Sequence, residues 1–162
     1  MRKTRIIIPC VAALAVLLIV QSAAAQAKLE GVWKKTEVTV TGPNSQKIPH
    51  PQPNIVIFTK KHFSFTEVEG EKPRPDQPLE KATDAQKVAA WEPFSAQAGT
   101  YEIKGMTVTL HDLVTKDPEN MKPDSVETWD FKIEGTTLLL TSKATAARPN
   151  TETITMKFVR VD

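Results

Sequence analysis

From Gly31 onward the chain reads as short stretches in which apolar and polar residues alternate with period two, the period of a strand with one buried face. The first, Gly31–Thr41, is rich in β-branched residues and runs into the turn cluster Gly42-Pro43-Asn44-Ser45. Pro49, Pro51 and Pro53 then deny the backbone a regular ladder of donors, which predicts an extended connection. Ile55–Thr59 and His62–Val68 follow as two β-rich runs separated by Lys60-Lys61, the spacing of a tight hairpin without glycine. Phe63 and Phe65 share one face, opposite His62, Ser64 and Thr66.

Three prolines between residues 69 and 81 predict a loop, and Thr83-Asp84-Ala85-Gln86 matches a capping box opening a short helix that Pro93 ends. Alternation returns in Thr100–Lys104, Met106–Val114 and Val126–Ile133. Tyr101 and Ile103, then Met106, Val108 and Leu110, then Trp129, Phe131 and Ile133 fall on single faces. Lys104-Gly105 and Glu134-Gly135 are turns, while 115–125 is a longer connection with Pro118 and Pro123. Thr136–Ser142, a loop around Arg148-Pro149-Asn150, and Thr151–Val161 complete the chain. In the last of these, Ile154, Met156, Phe158 and Arg160 share a face.

These stretches amount to an all-β chain of eight strands with one short helix. In an open sheet eight hairpin-linked strands would leave exposed edges; closure removes them, and eight is a size that can enclose one small ligand. A two-sheet sandwich is the competing arrangement. Consecutive hairpins favour an eight-stranded antiparallel up-and-down barrel, because sandwiches usually need longer Greek-key crossings.

The first 27 residues follow different rules. Arg2, Lys3 and Arg5 precede an apolar run from Ile6 to Val20, and small residues lead to Ala25-Gln26-Ala27, an A-x-A cleavage pattern. A cleavable signal peptide over 1–27 is expected, with export to the periplasm or the medium. The alternative, a membrane anchor, is disfavoured because the run is shorter than the ~20 apolar residues of a span and contains Pro9. Cys10, the single cysteine, lies at the start of that run, where a lipid-attachment cysteine would follow it. Residues 28–162 therefore form one domain without a disulfide, stabilised by its core alone.

Charge changes the picture in one respect. Three of the 21 basic residues and none of the 19 acidic ones lie in the leader, so the net charge of +2 becomes −1 for the remainder. A nearly neutral domain has no electrostatic footprint for nucleic acid or an anionic membrane, and neither is expected as a partner.

Leu29-Glu30-Gly31-Val32-Trp33 resembles the G-x-W opening of lipocalin-like domains, and Arg160 matches the family's last-strand arginine that packs across that tryptophan. The stretches Phe94–Tyr101 and Ile133–Leu138 extend the resemblance to bacterial secreted lipocalin-like domains of unassigned function. It implies a lipocalin-like barrel whose first strand begins at the closed end. Trp33 and Arg160 are then expected to form a cation–π pair on the barrel floor, worth ~0.5–2 kcal/mol. Lys35 departs from the pattern: it has the parity of Trp33, where an apolar residue would be expected, and a bulge in the first strand would resolve the conflict.

Candidate cavity-lining residues are Phe63, Phe65, Tyr101, Glu127, Trp129 and Phe131, all with inward parity. A carboxylate among aromatic rings could bind a polar head group or act as a base, although Glu127 stands near a strand start, where a hydrated rim position is the plainer reading. His50, His62 and His111 are scattered without ligand spacing, so no metal is expected; no cofactor motif, G-x-S-x-G elbow or phosphate loop occurs either. Lys60-Lys61-His62 reads as a solvated turn.

Three functions compete at this level. The first is an exported protein binding a small apolar or amphipathic molecule in the barrel. The second is a protein-interaction module or inhibitor with a filled barrel, working through the proline-rich segments 43–53 and 69–79. The third is an isomerase- or cyclase-like enzyme using Glu127 or Tyr101, for which only the possible cavity speaks.

Overall fold

The computed structural model describes residues 28–76, 78–143 and 151–162. The expected leader with Cys10, and the loop around Arg148-Pro149-Asn150, lie outside the described residues. The described residues form a single antiparallel sheet of β1 (Gly31–Thr41), β2 (Gln46–Ile48), β3 (Asn54–Phe58), β4 (His62–Val68), β5 (Phe94–Lys104), β6 (Thr107–Thr115), β7 (Glu127–Glu134), β8 (Thr137–Ser142) and β9 (Thr153–Arg160), with the α-helix α1 (Asp84–Trp91) between β4 and β5. Each strand from β3 to β9 pairs with the next, and β1 pairs with both β3 and β9, which closes an eight-stranded barrel. The sandwich is excluded because the sheet is continuous.

β2 is an addition that proline spacing did not reveal. On the edge of β1 opposite β9, β3 pairs only with Gly31–Trp33, and β2 takes over at Val38–Val40. The Asn54 side chain extends the β1–β3 seam by one step: its Oδ1 accepts from the Lys35 N–H (2.5 Å) and its Nδ2 donates to the Lys35 carbonyl (3.1 Å). A bulge does interrupt the β1–β9 ladder, but it lies between Lys35 and Glu37, so Lys35 keeps the register of Trp33, stays buried on the inward face, and the expected relief of that conflict does not occur.

Most strand ends lie within one or two residues of those expected, and two differences matter more. β5 begins at Phe94 rather than Thr100, because Phe94–Thr100 pairs along the whole of β4. Its residues Ser95-Ala96-Gln97-Ala98-Gly99 have weak β propensity, so the partner strand, not composition, makes them extended. Met106, assigned to the inward face of the next strand, instead sits exposed in the turn before β6. The helix is as expected: the Thr83 hydroxyl accepts from the Gln86 N–H and the Gln86 side chain accepts from the Thr83 N–H.

The two ends of the barrel differ in kind. At one end the hairpins are tight. Gly105 (φ +64°) and Gly135 (φ +59°) each take the first central position of a two-residue turn, as a type II′ hairpin requires. The β3–β4 turn needs no glycine, because the Thr59 Oγ1 accepts from the His62 N–H at 3.1 Å and holds the turn with no positive φ. At the other end the connections 42–45, 69–93 and 116–126 are longer.

The tight end is filled. Leu29, Trp33, Phe58, Phe63, Val108, Leu138, Leu140 and Phe158 are among the buried residues of one cluster, with Phe58 edge-on to Tyr101 at 5.4 Å and to Phe65 at 5.9 Å. Trp33 and Arg160 are register partners across β1 and β9, and the guanidinium carbon stands 4.2 Å from the indole centroid. The Trp33 Nε1–H donates to the Leu29 carbonyl (2.9 Å), while Arg160 donates from Nη1 to the Glu30 carbonyl and from Nη2 to the Lys28 carbonyl, both at 2.7 Å. The pair thus ties the entering chain across the barrel floor.

Candidate cavity at the open end

Inward parity carries β4 from Phe65 to Glu67, β5 from Tyr101 back to Ser95 and Gln97, and β7 from Phe131 back to Trp129 and Glu127. Toward the open end these positions change from aromatic to polar, and the filled core gives way to a cavity of about 620 Å³. The opening follows from strand divergence. β6 and β7 pair only from Thr107↔Asp130 to Leu110↔Glu127, and the rest of β6 runs on to a short 3₁₀ turn, Pro118–Met121.

The wall is part apolar, from Phe65, Trp129, Ile154 and Met156, and part acidic, from Glu67, Glu69, Asp117 and Glu127. Lys35 lies beside it. Its residue is only 8 % exposed, and its ammonium forms an ion pair with the Glu67 carboxylate. A buried lysine requires such a partner, since an unpaired charge in the core carries a large desolvation cost. Lys116 is the basic residue among the described lining, and its Nζ turns to the end of α1. There it donates to the Trp91 (3.0 Å) and Glu92 (2.5 Å) carbonyls and stands 5.6 Å above the Trp91 ring.

No protein-family model matches the chain, and the search of curated proteins found no match. Two solved structures are similar to it in outline. One is a lipocalin-like protein from Bacteroides uniformis ATCC 8492, with 13% identity and a TM-score of 0.47, covering 83% of this chain and 99% of that one. The other is an uncharacterized protein from Bacteroides eggerthii DSM 20697, with 10% identity and a TM-score of 0.42, covering 82% and 99%. The closed barrel itself rests on the strand pairings.

Of the six residues expected to line a cavity, Phe65, Glu127 and Trp129 do so. Phe63, Tyr101 and Phe131 are buried in the closed half, at 2 %, 8 % and 4 % exposure, and contribute to its packing. The Tyr101 hydroxyl donates to the Thr59 carbonyl at 2.5 Å, so the structure does not bring Tyr101 and Glu127 together in one site.

The sequence reading missed Glu67, although its parity with Phe63 and Phe65 pointed inward and Lys35 signalled that an inward carboxylate was needed. Among the described residues no three His, Cys, Asp or Glu side chains are grouped to hold a metal ion. No described helix is long and apolar enough to cross a membrane.

Proposed function

We propose that this protein is exported, with its leader removed after Ala27, and that it binds a small amphipathic molecule in the open-end cavity. One observation carries the binding reading: the aromatic core stops partway along the barrel and leaves about 620 Å³ lined by Phe65, Trp129, Ile154 and Met156 below a polar rim. That volume lies within the ~300–1,000 Å³ of small-molecule sites. An apolar floor with polar groups on one side suits a ligand with an apolar body and a polar head.

The experiment is native mass spectrometry of the protein purified from its full coding sequence, together with displacement of a fluorescent apolar probe. The expected result is a mass corresponding to a chain that begins at Lys28 and a saturable single probe site. A ligand-free mass with no probe binding would overturn the binding reading. A mass that retains the first 27 residues in the exported fraction would overturn the cleavage.

A further inference from the structure

We propose that α1 carries a binding site of its own, separate from the open-end cavity, and that it takes a small organic carboxylate with an apolar body. The site is a groove of about 420 Å³ lined by Leu79, Val88, Ala90 and Trp91 together with Arg74 and Lys87. None of these residues belongs to the described lining of the open-end cavity. Leu79, Val88 and Trp91 are exposed, and apolar side chains gathered in one hollow, rather than scattered singly, mark a surface built to be covered. The stretch of α1 that lines the groove, Lys87 to Trp91, rises only ~6 Å. That is the footprint of one small molecule, and the volume is of the same class.

Charge selects the head group. Both charged residues of the described lining are cations, and all 19 acidic residues of the chain lie among the described residues, so no further carboxylate enters the lining from elsewhere. The Arg74 guanidinium carbon stands 5.4 Å from the ring centroid of Phe94, and the group forms no ion pair or hydrogen bond with a described residue. Arg74 also borders a neighbouring hollow with Glu69 and Glu71 and pairs with neither. Placement over a ring orients a guanidinium while leaving its N–H groups available, and their planar fork matches a carboxylate bidentately. Lys87 pairs with Asp84 at 3.2 Å, but both side chains are exposed; such a pair is weak, and a ligand carboxylate can compete for the ammonium. An acid whose apolar body lies against Val88 and Trp91 thus meets cations that no buried carboxylate holds.

The test is two-dimensional proton–nitrogen NMR of the full protein, titrated with octanoate, octylammonium and octyl glucoside below their micelle concentrations. The indole N–H signals report location, and those of Trp91 and Trp129 are identified by their loss in Trp91→Phe and Trp129→Phe. Octanoate is expected to shift the Trp91 signal saturably and to bind about tenfold tighter than octylammonium. Arg74→Gln is expected to weaken octanoate about tenfold and to leave octyl glucoside unchanged. Arg74→Lys, which keeps the charge without the fork, should lose about threefold.

Octylammonium binding as tight as octanoate, or an octanoate affinity unaffected by Arg74→Gln, would overturn the carboxylate assignment. No shift of the Trp91 signal with any probe would overturn the groove itself. A shift of the Trp129 signal alone would also overturn it, by placing the probe in the open-end cavity, and would favour that cavity's binding role instead. If Arg74→Gln does not fold, the wild-type protein decides: a preference for octanoate over octylammonium that is absent, or that is insensitive to salt, would sink the electrostatic argument.

Discussion

A Cβ placed on Gly31 would come within 2.0 Å of Nη1 of Arg160. Gly31 also has φ +135°, a conformation that side chains rarely adopt. The glycine two residues before Trp33 is therefore explained by the arginine that covers the indole: the guanidinium passes over the Gly31 backbone to reach the Lys28 and Glu30 carbonyls.

Gly31→Ala is expected to destabilise the domain by about 1–3 kcal/mol, combining backbone strain with displacement of Arg160. Urea unfolding measures it. In an Arg160→Ala background the clash is gone and the strain remains, so the Gly31→Ala cost should shrink without vanishing. An unchanged cost would show that Arg160 has no part in the requirement for glycine.

Gly99 should be less forgiving. A Cβ there would lie 1.9 Å from the His111 carbonyl oxygen, at the bulge where Gly99 pairs with Asp112 and Ala98 with Val114. The obstacle is backbone held in the β5–β6 ladder, not the end of a flexible side chain. Gly99→Ala is expected to cost about 3–4 kcal/mol, at the upper end for single substitutions. A loss under 1 kcal/mol by thermal or urea unfolding would mean that the ladder can reopen there.

Lys35 and Glu67 form the next case. Lys35→Met leaves Glu67 without its cation and is expected to cost about 1–3 kcal/mol, moderated because the Glu67 side chain is 18% exposed at the cavity. The double substitution Lys35→Met with Glu67→Leu should recover most of that loss, since apolar replacement of both partners of a buried pair is often near neutral. Additive losses in the double-mutant cycle would contradict the pairing.

Asp130 gives a pH dependence with a definite sign. The Thr107 hydroxyl donates to its carboxylate at 2.7 Å, and Lys143 stands 3.2 Å away; the first contact does most to hold its pKa below the ordinary carboxylate value, desolvation opposes it, and the Lys143 ammonium adds to the lowering. Because the folded pKa is the lower one, this contribution is fully present above the unfolded value near ~3.9 and is lost as the pH falls through the folded value. Asp130→Asn should flatten the fall in stability below about pH 4 and change its slope little at pH 6–8. An identical acid limb in mutant and wild type, by chemical denaturation across pH, would refute the assignment.

Much of the fold was legible from alternation alone. The faces of Phe63 and Phe65, of Val108 and Leu110, and of Phe131 and Ile133 were assigned correctly because strand parity is a local property, independent of which strand lies alongside. The capping box at Thr83 and the glycine turns at 105 and 135 were legible for the same reason, since each is closed within a few residues. The Trp33–Arg160 pairing came from a resemblance, and its distance of 4.2 Å is a product of closure between the first and last strands.

What parity could not give was depth along the barrel. Phe63 and Phe65 share a face one step apart, yet Phe63 belongs to the filled floor and Phe65 to the cavity wall. Tyr101 and Glu127 both point inward, yet Tyr101 donates to the Thr59 carbonyl in the packed half while Glu127 stands at the opening. β2, the start of β5 at Phe94, and the pairing of Lys35 with Glu67 likewise depend on partners distant in the chain. The sequence by itself determined which residues within a strand share a face, because that follows from the two-residue repeat; Met106 shows that it did not determine where a strand begins. Only the tertiary structure decided which of them meet, and where packing ends and the cavity begins, because register and strand divergence are set by pairing between segments far apart in sequence.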